Sequence, residues 1–62
     1  MTRREHEVLR HLATSSTAAR IGRQLRISER TVHKHLENLY AKLAVGDRLA
    51  AVLRAQDLGL LD

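Results

Sequence analysis

Apolar residues recur along this chain at intervals of three and four, and short polar stretches interrupt them three times. That rhythm predicts four amphipathic helices joined by tight connections. In the first segment Val8, Leu9 and Leu12 share one face. Thr2 stands ahead of them with Glu5 three residues on, the spacing at which each side chain satisfies the other's free amide in a capping box. "ATSST", Ala13 to Thr17, then breaks the pattern with residues that favour caps and turns. Thr17 is the expected N-cap of a second helix reaching about Leu25, with Ala18, Ile21, Gly22 and Leu25 facing inward. Gly22 lowers helix propensity by about 1 kcal/mol relative to alanine. Its position inside a helix points to another stretch of backbone crossing close by.

Arg26, Ile27 and Ser28 separate the second helix from the third, and Ile27, the apolar one, should pin the turn into the core. Two short helices joined in this way form a helix-turn-helix. The third helix opens on Ser28 as N-cap. Val32, Leu36, Leu39 and Leu43 follow at spacings of 4, 3 and 4, a single buried stripe. "AVGD" ends that helix, and Asp47 can cap a fourth running to about Leu58, with Ala51, Val52, Ala55 and Leu58 inward. Gly59 is placed to be the left-handed residue that closes it, with Leu60 folding back. The expected fold is all-α: a compact four-helix bundle containing a helix-turn-helix, winged-helix-like but without the wing. Residues 1–62 read as one domain, with no internal repeat, linker or low-complexity tail.

Composition narrows this picture. A chain of 62 residues buries only about 60% of its unfolded surface. Cysteine and proline are absent and Tyr40 is the sole aromatic residue, so the core must be Leu, Val, Ile and Ala packed between helices. No apolar run approaches the roughly 18 residues needed to span a bilayer, and no secretory leader is visible. An intracellular, soluble protein is the default expectation. The net charge of +4 and pI near 10.7 are consistent with a polyanionic partner, although basic composition alone fits many merely soluble domains.

The distribution of that charge is more informative. With 100° of turn per residue, the stripe Val32, Leu36, Leu39, Leu43 sets the core direction of the third helix. Arg30, Lys34, Glu37, Asn38 and Ala41 then lie opposite, flanked by Thr31, His33 and Lys42. Lys or Arg suits guanine, Asn suits adenine and Glu suits cytosine in a major groove, and Ala41 is small enough to permit close approach. Between positions 20 and 34, Arg20, Arg23, Arg26, Arg30 and Lys34 face Glu29 alone, five cations to one anion. Phosphate binding requires such a concentration. A polar face is common to all surface helices; the preceding helix and tight turn favour docking into a duplex groove.

An enzyme needs a pocket, and four small helices leave little room for one. The four histidines do not pair as metal ligands: His6 and His11 are five apart and His33 and His35 two apart, whereas helical zinc pairs lie four apart. No metal or other cofactor is expected. His35 should support the turn or a phosphate, with His6 and His11 on the surface. Two other binding classes remain open. A basic helical module docking an acidic protein would show no duplex preference; an RNA reader would need more stacking surface than Tyr40 supplies.

"TRREHEVLRHLA", the following "IGRQLRISERTVHKHLENLYAKLAV" and the later "LGLL" resemble a LuxR-type (GerE-family) DNA-binding domain. The resemblance covers Thr2 to Leu61, and Ile27 to Leu43 is its most specific part. It implies a transcriptional regulator, cytoplasmic and nucleoid-associated, whose third helix enters the major groove of double-stranded DNA. It also implies a homodimer on inverted-repeat sites near promoters, which makes RNA polymerase a candidate partner, with no membrane and no small-molecule ligand in this domain. Carried over by residue, the resemblance implies base contacts from His33, Lys34 and Glu37, with Asn38 as an addition. Phosphate contacts would come from Thr17 and the amides at the start of helix two, and from Arg30, Thr31 and Lys42. The chain departs from the family pattern in three places. Glu37 stands where relatives often carry a cation. Ser15 and Ala44 stand where glycine is usual, so left-handed turns there would carry strain and be less rigid.

The fourth helix supports dimerisation independently, because Leu49, Leu53 and Gln56 lie off its inward face as a small surplus apolar patch. Packing of Leu49 and Leu53 against the first helix is an equal alternative. So narrow a patch buries less than a stable interface needs, so the isolated domain should be monomeric until DNA aligns two copies. Chains of this type carry a separate N-terminal sensing or phospho-acceptor domain, and this sequence is expected to be the C-terminal effector of a longer regulator.

Overall fold

The computed structural model describes residues 1–14 and 16–61. Four helices follow in order: α1 (Arg3–Ala13), α2 (Ala18–Leu25), α3 (Glu29–Leu43) and α4 (Arg48–Asp57), with no strand among the described residues. The four expected N-caps all form. Thr2, Thr17, Ser28 and Asp47 accept from the amides of Glu5, Arg20, Thr31 and Ala50 respectively, and each such cap stabilises its helix by about 1 kcal/mol. The capping box is complete, with Glu5 Oε1 accepting from the Thr2 amide at 3.0 Å.

α3 is the axis of the molecule, packing against α1, α2 and α4. Val8, Leu9 and Leu12 of α1, Ile21 of α2, Val32, Leu39 and Leu43 of α3, and Ala51 and Ala55 of α4 are buried together. Leu36, Tyr40, Ile27 and Val52 are packed around them, half-buried. Each fully buried Val, Leu or Ile contributes about 1.5–3 kcal/mol. The two alanines leave room for α4 to lie close.

α2, α3 and α4 end by one shared device. A left-handed residue closes each helix: Arg26 (φ 58°) and Ala44 (φ 57°) directly after α2 and α3, and Gly59 (φ 70°) one residue beyond Leu58 after α4. The next residue then donates its amide back to the carbonyl five positions earlier, Ile27 to Gly22, Val45 to Tyr40 and Leu60 to Ala55. This is the Schellman motif, and its apolar residue after the turn, here Ile27, Val45 or Leu60, packs on the core in each case. Only Gly59 takes the left-handed conformation without cost; an arginine or alanine there loses about 1 kcal/mol. The turn at Ala44 is fully formed despite that strain. The expectation for Ser15 lies outside the described residues.

Gly22 does meet a second backbone segment, as its position in the helix predicts. A β-carbon at position 22 would lie 2.8 Å from the Ile27 carbonyl oxygen. Three expectations need correction, one of them His11, which is half-buried rather than on the surface. Leu58 is 53% exposed rather than inward: α4 stops at Asp57, and the turn at Gly59 brings Leu60 and Leu61 onto the core instead. His6 is half-buried rather than on the surface, because its Nε2 donates to the Leu60 carbonyl at 2.6 Å and ties the C-terminal turn to α1.

Candidate nucleic-acid interface

The leucine and valine stripe turns one side of α3 into the core, which leaves the other side in solvent. His33, Lys34, Glu37 and Asn38 are all exposed, as are Arg30, Thr31, Ala41 and Lys42. Arg30, Thr31, His33, Lys34 and Glu37 together line one shallow concavity of about 340 Å³. Asn38 is exposed one turn beyond Lys34 and does not line it.

Five cations on and beside this face form no ion pair among the described residues. Arg20, Arg23, Arg26, Arg30 and Lys34 are exposed, and the ion pairs among the described residues are Arg3–Glu7, Arg4–Glu7 and Lys42–Glu5. Cations therefore outnumber the carboxylates of Glu29 and Glu37 over the turn and the first half of α3, the excess that a surface displacing counterions from a phosphate backbone requires. The hydroxyls nearby are oriented by their caps. Thr17 Oγ1 accepts from the Arg20 amide at 3.1 Å, which leaves its hydrogen free to donate. Ser28 Oγ accepts from the Thr31 amide at 3.0 Å and lies 2.8 Å from Thr31 Oγ1, so one hydroxyl hydrogen of that pair is also free.

Lys42 differs from the other cations. Its Nζ donates to Glu5 Oε1 at 2.6 Å, with its side chain 46% exposed and that of Glu5 only 5% exposed. The bond from Lys42, and then the amide of Thr2, hold the Glu5 carboxyl down from the usual 4.5 to about 2 despite the opposing effect of burial. Glu5 thus caps α1 and clamps the end of α3 at once. Sequence reading missed this pair: the partners are 37 residues apart, and an exposed-looking lysine carries no mark of a distant partner.

Arg48 was missed as well. Its guanidinium donates from Nη2 to the Leu12 carbonyl at 3.1 Å and to the Ser16 carbonyl at 2.6 Å, closing the end of α1 from α4. A signal did exist. A cation in the first turn of a helix opposes the helix dipole, and such a misfit marks a side chain used elsewhere.

On another side of the molecule, Leu49 and Leu53 are 69% and 52% exposed, and Gln56 is exposed with them. The two leucines are therefore not buried against α1, although Leu49 borders a groove of about 310 Å³ with Leu12, Ala13, Arg48 and Val52. Among the described residues, no three metal-ligating side chains converge, and no helix is long and apolar enough to cross a membrane.

Known proteins share this architecture. The family GerE, described as bacterial regulatory proteins of the luxR family, matches residues 1–55. The transcriptional activator protein SolR of Ralstonia nicotianae is 46% identical over 61 residues, 98% of this chain and 26% of that protein. The probable transcriptional regulatory protein NarL of Mycobacterium tuberculosis is 40% identical over 62 residues, all of this chain and 29% of that protein. The chain thus spans little more than a quarter of these curated relatives. Among solved structures, that of the transcription factor GerE superimposes with a TM-score of 0.91 at 39% identity, covering 100% of this chain and 96% of that one. These relatives are regulators of transcription, not enzymes, and the chain belongs to the luxR family of bacterial regulatory proteins, as a DNA-binding domain of the GerE type.

Proposed function

We propose that this domain binds double-stranded DNA sequence-specifically as the effector of a transcriptional regulator, with α3 in the major groove. The supporting observation is the exposed ridge of unpaired cations on a helix whose opposite side is core. In this reading His33, Lys34, Glu37 and Asn38 contact bases. Arg30, Thr31 and Thr17 hold phosphates through their free donors. Lys42 serves as a further phosphate contact with the ammonium hydrogens that Glu5 does not use. Two copies, each monomeric alone, meet through Leu49, Leu53 and Gln56 on an inverted-repeat site, placed there by the spacing of half-sites on the duplex.

The test is a selection from random duplexes combined with the salt dependence of binding. An inverted repeat should be enriched, and affinity should fall steeply with salt as counterions are released. Indifference to sequence at every salt concentration would replace this reading with that of a basic module for an acidic protein.

A further inference from the structure

Glu37 is the anomaly of the cationic face. It is exposed in the concavity that also carries Arg30, His33 and Lys34, yet it forms no ion pair or side-chain hydrogen bond among the described residues. It lies in the middle of the 15-residue α3, where the helix dipole neither favours nor opposes it. Nothing within the domain therefore requires a carboxylate at this position. Against a polyanion it is unfavourable unless a donor meets it. A phosphate backbone has no donors, and the major-groove edges of the bases offer only the amines of cytosine and adenine. Adenine sets its N7 acceptor beside its amine, which would repel the second carboxylate oxygen. Cytosine has no acceptor of its own on that edge. The neighbouring acceptors belong to its guanine partner, and these suit the ammonium of Lys34, three residues before Glu37 and on the same face.

We propose that Glu37 is a specificity-determining residue of this interface, accepting a hydrogen bond from a cytosine N4 amine while Lys34 covers guanine acceptors beside it. This rests on the duplex-binding reading above. The carboxylate acts in two ways: it rewards the amine, and it penalises any sequence that leaves it facing acceptors or phosphate. It therefore lowers non-specific affinity while sharpening choice at one G·C pair.

The experiment pairs a change in the protein with a change in the base. Wild-type domain and Glu37→Ala are each used to select from random duplexes. The wild-type site is then synthesised with N4-methylcytosine at each cytosine in turn; the methyl group replaces the groove-facing hydrogen and leaves the pairing hydrogen intact. At one cytosine, methylation should weaken the wild type by about tenfold or more and leave Glu37→Ala nearly unchanged, while the variant binds random duplexes more tightly than the wild type. If methylation affects both proteins alike at every cytosine, or if the variant selects the same site and only binds tighter, Glu37 is a repulsive charge and the proposal falls. If the wild type enriches no sequence at all, the duplex-binding reading fails and takes this assignment with it.

Discussion

Arg30 and Lys34, near the start of α3, stand in solvent with no ion-pair partner among the described residues, whereas Lys42, near its end, is bonded at 2.6 Å to the buried carboxylate of Glu5. All three are cations on the outward side of one helix. The first two contribute nothing to folding that the structure records; the third holds α1 to α3. The comparison teaches that positive charge marks a binding surface most clearly where the fold has no use for it. The useful question about a surface lysine is what its ammonium touches when no ligand is bound.

The sharpest way to break the comparison is to remove each cation in turn. Lys42→Ala strands the Glu5 carboxylate in the interior with the Thr2 amide as its remaining donor. Losing one partner of such a pair should destabilise the domain by about 2–3 kcal/mol. Lys34→Ala should stay within about 0.5 kcal/mol of the wild type, as surface changes usually do. Urea unfolding measures both, and equal shifts would erase the distinction between the two ends.

Acid tests the same clamp without mutation. Glu5 titrates at about 2 when folded against an ordinary 4.5, so between those values the unfolded chain binds the extra proton. The stabilisation is complete above about pH 4.5 and is lost as pH falls toward 2. It amounts to about 2–3 kcal/mol. The urea midpoint of the wild type should fall through this window, and that of Lys42→Ala should fall much less.

Binding reports on the free end. Lys34→Ala should lose discrimination at one base pair, at a cost of about 1–3 kcal/mol, while Arg30→Ala weakens all sequences evenly and flattens the salt slope by about 1. Competition against a panel of single-base variants separates the two patterns. The smallest expected effect concerns neither end but the turn beyond Lys42. Ala44→Gly relieves the left-handed strain and should stabilise the domain by about 1 kcal/mol, raising the melting temperature by about 4–8 °C.

Most of the fold was legible because its signals are local. Thr2, Thr17, Ser28 and Asp47 announced four helix starts, and the 4, 3, 4 spacing of Val32, Leu36, Leu39 and Leu43 oriented α3. That orientation in turn predicted the exposure of Lys34 and Asn38. What stayed hidden acts over distance or against propensity. Glu5 and Lys42 find each other across 37 positions and Arg48 reaches Leu12 across 36. Arg26 takes a left-handed conformation that its residue type disfavours, imposed by Ile27 packing on the core beyond it. Leu58 shows the limit of periodicity: helical spacing aims it inward, but a helix that stops one residue earlier lets Leu60 take its place.

The contact at Gly22 has a practical consequence. A joint held by ion pairs would loosen as electrolyte is added, but the approach of α2 to the Ile27 carbonyl is limited by van der Waals radii, at 2.8 Å from where a methyl carbon would sit. Atomic size does not respond to ionic strength. The angle at which α2 presents α3 should therefore be the same in dilute buffer and in concentrated salt. An affinity titrated with salt then measures displaced counterions rather than a domain changing shape.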